Sequence, residues 1–260
     1  MEIWHSIILG IVEGITEFLP ISSTGHLILA NSLLGITENG FTKSFDIIIQ
    51  LGAIAAVIVL FWKKIWRVEM IKKLIVGFIP TGIIGLVLYK VAKTYLLGNT
   101  SVVLWSLFIG GVILIAFELW YKKRTSTSIQ TQSESLDQIT YKQAALIGLF
   151  QSVAIIPGVS RSAATIIGGL ALGLRRTIIV EFSFLLAVPT MLAATGLDLV
   201  KNASSFSSDQ STILLVGFIV SFIVALASIR FLIGYVKRYT FIPFGVYRIV
   251  LAIVFWISLR

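Results

Sequence analysis

Two glutamates four residues apart, three consecutive hydroxyl side chains and an imidazole fall within one short stretch of an otherwise lipid-like N-terminus, EGITEFLPISSTGH at residues 13–26. On a helix Glu13 and Glu17 share one face, and Pro20 is expected to stop that helix. Ser22, Ser23 and Thr24 each offer a cap for a second helix carrying Gly25, His26 and the apolar run to residue 34. Carboxylates for a cation, hydroxyls and a helix N-terminus for an anion, and an imidazole for a proton together suit a metal-bound phosphate.

A partner set lies in the second half. After an apolar run at 144–156, Pro157 is followed by Gly158, Ser160, Arg161, Ser162 and Thr165. A guanidinium presents a fork of donors to phosphate oxygens, and a helix starting near Ser160 adds its positive N-terminus. Glu13 and Glu17 alone would repel a bare phosphate, and two unpaired buried carboxylates are costly. A divalent cation resolves the conflict by binding carboxylates and phosphate at once. The chain has no cysteine, which removes disulfides, thiolate nucleophiles and thiolate metal sites. The expected metal ligands are therefore Glu13 and Glu17, and the expected ion is Mg²⁺ or Ca²⁺.

The elements that must position these residues are membrane helices. The composition is 57% hydrophobic and 13% charged, with mean hydropathy +0.98, far from the roughly 25% charged of a soluble domain. The net charge of +9 sits largely in short loops, where lysine and arginine act as topology and headgroup signals, so no nucleic-acid partner is expected. The N-terminus has neither the basic region nor the small-residue cleavage site of a signal peptide, and no processing is expected. Spans are expected at 45–62, 74–89, 102–121, 178–200, 213–233 and 241–259, with the tryptophans mostly near their ends as interfacial anchors. The runs at 7–19 and 27–34, and those flanking Pro157, fall short of the roughly 20 residues that cross a bilayer. Each pair reads as a re-entrant hairpin, 1–34 and 144–174, a geometry tolerated where it is buried in protein or lines a wet cavity. An amphipathic helix lying on the membrane is the plainer reading of the N-terminus, but its carboxylate face lacks the usual Lys and Arg. The expected fold is an all-α integral membrane protein, six transmembrane helices plus two re-entrant helical hairpins in an inverted repeat within a single membrane domain.

The repeat is visible directly. Gly10-x-x-Glu13 with LPISSTG resembles Gly148-x-x-Gln151 with IPGVSRS, and aligning Pro20 with Pro157 sets Ser23 against Ser160. FDIIIQLGAI from Phe45 lies against FSFLLAVPTM from Phe182, and FIPTGIIGLVL from Phe78 against FIPFGVYRIVL from Phe241. Repeat one is 1–121, a polar linker 122–142, and repeat two 143–260. A hairpin and three spans in each half make the repeats inverted. Segments 63–73, 122–142, 174–177 and 234–240 carry thirteen Lys and Arg against five in the segments on the other side. That puts the first set in the cytoplasm, both termini outside and the acidic hairpin opening outward.

EGITEFLPISSTGHL and PGVSRSAAT, with the surrounding spans and the chain length, resemble the undecaprenyl-diphosphate phosphatase family of bacteria, the bacitracin-resistance type. The resemblance runs over nearly the whole chain. It implies hydrolysis of a polyprenyl diphosphate lipid, undecaprenyl diphosphate, to undecaprenyl phosphate at the outer face of the cytoplasmic membrane. That reaction recycles the carrier lipid for peptidoglycan and other wall polymers. The family's acidic motif falls on Glu13 and Glu17, its Ser-Ser-Thr-Gly-His on 22–26, and its Pro-Gly-x-Ser-Arg-Ser on 157–162. On that reading Glu13 and Glu17 hold the cation, and Arg161 with backbone N–H groups stabilises the transferred phosphoryl group. Ser23 or a metal-activated water attacks, with His26 as base and then acid. Ser22, Thr24, Gly25, Ser160, Ser162, Thr165 and Gln50 are expected around the substrate.

Plainer readings stand beside these. His26 alone is an ordinary helix-start hydrogen bonder, Ser22 and Thr24 are caps, and Gln50 is a helix–helix contact. Glu118, Glu181 and Asp198 lie near span ends and are expected to be structural. Arg230 can snorkel, whereas Arg248 is deeper and needs a partner or a wet cavity. Inverted repeats with broken helices are also a transporter signature, so a flippase of a lipid phosphate or anion is the alternative, and a homodimer is left open.

Overall fold

Inside a bilayer every backbone group must be satisfied within the protein, which restricts an apolar chain to helices or a closed barrel. The computed structural model describes residues 1–37, 39–96, 99–127, 135–202 and 210–258, and every regular element among them is a helix. α1 (Ile3–Thr16) and α2 (Ser23–Leu33) are followed by α3 (Gly40–Leu60), the short α4 (Trp62–Ile65), α5 (Val68–Val91) and α6 (Thr100–Thr127). The second half has α7 (Tyr141–Gln151), α8 (Arg161–Ala171), α9 (Arg176–Asn202), α10 (Ser211–Tyr235) and α11 (Ile242–Ser258). Among the described residues five helices are long and apolar enough to cross a membrane: Gly40–Leu60, Val68–Val91, Thr100–Lys123, Arg176–Gly196 and Ser211–Tyr235. The chain is a multi-pass membrane protein. The sixth expected span, α11, has 17 described residues and falls short by length. α6 runs past the expected start of the polar linker, whose residues 128–134 lie outside the described residues. The side chain of Asp198 lies outside them too.

The short helices end at the residues expected to form the site. α1 stops at Thr16, before Pro20, yet Glu17 keeps helical angles (φ −61, ψ −42) with its amide on the Glu13 carbonyl, so both glutamates still share a face. α2 begins on Ser22, whose Oγ accepts from Gly25 N, and α8 begins on Ser160, whose Oγ accepts from Ala163 N. Among the described residues these are the only non-glycine residues with positive φ, 74° and 78°. The matched caps correct the expected register: Ser22, not Ser23, corresponds to Ser160. Proline misled the alignment because it stands two residues before one cap and three before the other. Ser23 and Arg161 therefore occupy the same position, the first residue of each helix.

Packing follows the same exchange of halves. α1 lies on α10 as α7 lies on α5, α10 lies on α3 as α5 lies on α9, and α6 meets α11. Glycines permit the closest approaches: a methyl on Gly10 would come within 2.9 Å of the Gly217 carbonyl oxygen, and one on Gly148 would overlap the Gly77 carbonyl oxygen. GFIVS from Gly217 and GFIPT from Gly77 thus play equivalent parts, in place of the expected match between the stretches at Phe78 and Phe241. Glu118 is 1% exposed, not solvated at a span end. It accepts from Arg176 Nη2 at 2.6 Å and from Phe241 N at 3.1 Å, joining α6, α9 and the start of α11. Glu181 pairs with Lys64.

Because the clash at Gly148 is with backbone, no rotamer relieves it. Gly148→Ala is expected to cost about 1–3 kcal/mol, read as a lower thermal midpoint in detergent. Gly85→Ala, with nothing within 4 Å of the added carbon, should leave the midpoint unchanged.

Candidate active site

The turn after α1 and the turn before α8 meet, and side chains bond across the junction. Ser162 Oγ donates to the Leu19 carbonyl at 2.8 Å, and Arg161 Nη2 donates to Glu17 Oε1 at 3.0 Å. The other Glu17 oxygen accepts a hydrogen bond from Ser23 Oγ. Hydroxyl, carboxylate and guanidinium form one chain of contacts spanning both halves, with Glu17 and Ser23 buried and the Arg161 side chain 12% exposed. Arg161 Nη1 donates to the Ser183 carbonyl at 2.9 Å, and Ser183 Oγ pairs with Thr165 Oγ1 at 2.6 Å. The guanidinium also lies over the Phe18 ring, 5.9 Å from its centre. Its Nε is buried without a partner, a donor left over for an anion.

Glu13, one turn before Glu17, is fully buried, and neither of its oxygens receives a hydrogen bond. It lies within electrostatic range of Glu17 and of Asp46 on α3. An unbonded buried carboxylate facing further negative charge fits a cation, so the donor chemistry at Glu13 suits the expected metal. Glu17 fits less well, since both its oxygens are already engaged. Among the described residues no three His, Asp or Glu side chains form a preassembled metal centre.

His26 is not on Ser23. Its Nδ1 lies 2.7 Å from the Ser22 carbonyl and its Nε2 lies 2.8 Å from Tyr247 Oη. A carbonyl only accepts, so Nδ1 carries the proton and Nε2 accepts from the tyrosine. The side chain in position to receive the Ser23 proton is Glu17.

Arg248 on α11 has found its partners, and they are all backbone. It is 0% exposed. Nε donates to Leu107 O at 3.3 Å, Nη1 to Pro20 O at 3.2 Å and Val159 O at 3.0 Å, and Nη2 to Ser106 O at 3.0 Å and Gly158 O at 2.9 Å.

Of the residues expected from sequence, the structure brings together Glu13, Glu17, Ser22, Ser23, Ser160, Arg161, Ser162 and Thr165. Ser22 and Ser160 act as caps, the Gly25 amide is taken by Ser22, Thr24 is exposed and Gln50 is half-buried on α3. Sequence reasoning missed Asp46, Ser183 and Tyr247. The signal for the first two was present, because the repeat alignment sets Asp46 against Ser183 inside apolar spans. Tyr247 carries no comparable signal.

The family model described as bacitracin resistance protein BacA matches residues 6–254. The chain is 49% identical over 257 residues to the undecaprenyl-diphosphatase of Sulfurihydrogenibium sp., covering 99% of each chain. It is 52% identical over 262 residues to the undecaprenyl-diphosphatase of Bdellovibrio bacteriovorus, covering 100% of this chain and 97% of that one. To that of Aquifex aeolicus it is 49% identical over 256 residues, covering 98% of each.

Breaking one side of the Glu17–Arg161 pair leaves a buried charge alone. Glu17→Gln and Arg161→Met are each expected to cost up to about 3–5 kcal/mol. The double variant should lose clearly less than the sum, as measured by chemical or thermal unfolding in detergent.

Proposed function

This chain belongs to the bacitracin resistance protein BacA family, and on that membership and the geometry above we propose that it is a membrane-embedded undecaprenyl-diphosphate phosphatase. It converts undecaprenyl diphosphate to undecaprenyl phosphate and phosphate, returning the carrier lipid to cell-wall synthesis and opposing bacitracin. The observation that carries the mechanism is the Ser23–Glu17–Arg161 chain.

The Ser23 hydroxyl gives its proton to Glu17 as Oγ bonds to the terminal phosphorus and the bond to the bridging oxygen breaks. Undecaprenyl phosphate departs with the proton that Glu17 took. The freed carboxylate then takes a proton from the water that attacks the phosphoserine and returns it to Ser23 Oγ as that P–O bond breaks and phosphate leaves. Arg161 bonds the transferred phosphoryl oxygens through donors that include the free Nε, and the amide-rich starts of α2 and α8 favour the same negative charge. His26, tied to Tyr247 and to the Ser22 carbonyl, orients the start of α2. A divalent cation, Mg²⁺ or Ca²⁺, would be held by Glu13 with Glu17 beside it and would neutralise diphosphate charge.

The architecture is six spans and two re-entrant hairpins in an inverted repeat, α11 being the shortest span. The matched caps and the exchange of packing partners between halves support this, and Gly10 on Gly217 echoed by Gly148 on Gly77 supports it most closely. Loop charge supports both termini outside and the acidic hairpin opening to the outer face of the cytoplasmic membrane. Gln151 stands in the second half where Glu13 stands in the first. That chemical inequality between the halves favours a one-sided enzyme over a transporter that presents like sites to both faces.

The test is phosphate release from undecaprenyl diphosphate by the purified protein. Wild type should turn over and lose activity with chelator, and Ser23→Ala and Glu17→Gln should each fall by about 10²–10⁴-fold. His26→Gln should fall less than either. An inactive wild type, or a fully active Ser23→Ala, would overturn the assignment.

A further inference from the structure

The catalytic chain depends on two turns from opposite halves meeting in register, and neither turn is a relaxed structure. The caps that end them, Ser22 and Ser160, both sit at positive φ, a conformation that costs a residue with a Cβ and persists only where the surroundings over-determine it. The first residue after each cap is the one that does chemistry, Ser23 in one case and Arg161 in the other. Whatever fixes the two caps also aims those two side chains.

We propose that Arg248 is a positioning residue of the active site, holding both turns in register through the carbonyls that precede the two caps. Pro20 O lies two residues before Ser22, and Gly158 O and Val159 O lie just before Ser160. One guanidinium binds all three while anchored to Ser106 O and Leu107 O of α6. Its five N–H groups and five carbonyl partners match one for one. A buried charge is an expensive way to pack helices, since apolar side chains of similar volume do so at no desolvation cost. The fork itself is what the site requires: lysine carries the same charge on a single ammonium with three donors and does not span five carbonyls. The space for the fork is kept by Gly110 on α6, where an added methyl would overlap Nη2.

Arg248 acts on catalysis through Ser23 and Arg161. This role rests on the phosphatase reading. Arg248→Lys and Gly110→Ala perturb the same guanidinium from two helices, so the loss of either variant to misfolding leaves the other to decide. Each is expected to lower kcat by about a hundredfold, the scale of a small misplacement of reacting groups, with a smaller change in KM, alongside a lower thermal midpoint from the carbonyls left unbonded. Combined with Arg161→Ala, each should cause a clearly smaller further loss than it causes alone, because one of the two residues it places is already gone and only Ser23 is left to misplace. Wild-type kcat in both variants, or losses that multiply in full with Arg161→Ala, would overturn the proposal.

An activity-independent readout separates it from the phosphatase reading. The chain has no native cysteine, so spin labels can be placed at Thr24→Cys and Val153→Cys, both exposed beside the two turns. The label-to-label distance distribution should broaden or shift in Arg248→Lys and in Gly110→Ala. An unchanged distribution in both would overturn the positioning role even where the enzyme is active, and a changed one would support it even if wild type proved inactive on undecaprenyl diphosphate.

Discussion

A carboxylate cannot be kept charged inside a membrane protein unless something of opposite sign is brought to it, and in this molecule that something comes from the other half of the chain. Glu17 and Arg161 lie 144 positions apart in sequence and meet only because two broken helices end at the same place. Ser23 donates to the remaining Glu17 oxygen, and in the proposed mechanism the charge that Arg161 stabilises is the one that would activate the serine hydroxyl as a nucleophile. One pair thus links the two turns and carries the chemistry proposed between them.

The rest of the fold serves that meeting. Helices of 14 and 11 residues, α1 and α7, are too short to cross a bilayer; the helices that follow them, α2 and α8, are capped by Ser22 and Ser160, and the turns bond across their junction. The long helices around them present leucine, isoleucine and valine outward, as on α5 where Leu86 and Val87 are each 73% exposed. Close approach at Gly10 and Gly148 lets α1 lie against α10 and α7 against α5.

Much of this was legible in the sequence. The i, i+4 glutamates, the hydroxyl run and the Pro-Gly-x-Ser-Arg-Ser stretch are patterns of residue type, and residue type is what a sequence displays. The choice of cap was not legible, since Ser22, Ser23 and Thr24 have similar capping preference and only backbone angles distinguish them. The partner of Ser23 was missed for a related reason: His26 lies closer in sequence, but the turn points it at Tyr247 and at a carbonyl, leaving Glu17 beside the hydroxyl. Arg248 was recognisable as a residue needing partners, and the partners were invisible because all five are backbone oxygens, which every residue carries. Asp46 and Ser183 show the converse. Each looks incidental alone, and the repeat alignment that pairs them marks both.

The proposed mechanism makes Ser23 the group that accepts the phosphoryl. The most direct measurement is acid quench of the purified enzyme during turnover of undecaprenyl diphosphate radiolabelled in its terminal phosphate, followed by peptide mapping. The account predicts label on the peptide containing Ser23, present in wild type and absent when Ser23 is alanine. Hydrolysis at the full rate with the protein unlabelled at every quench time, or label carried by a different residue, would contradict it.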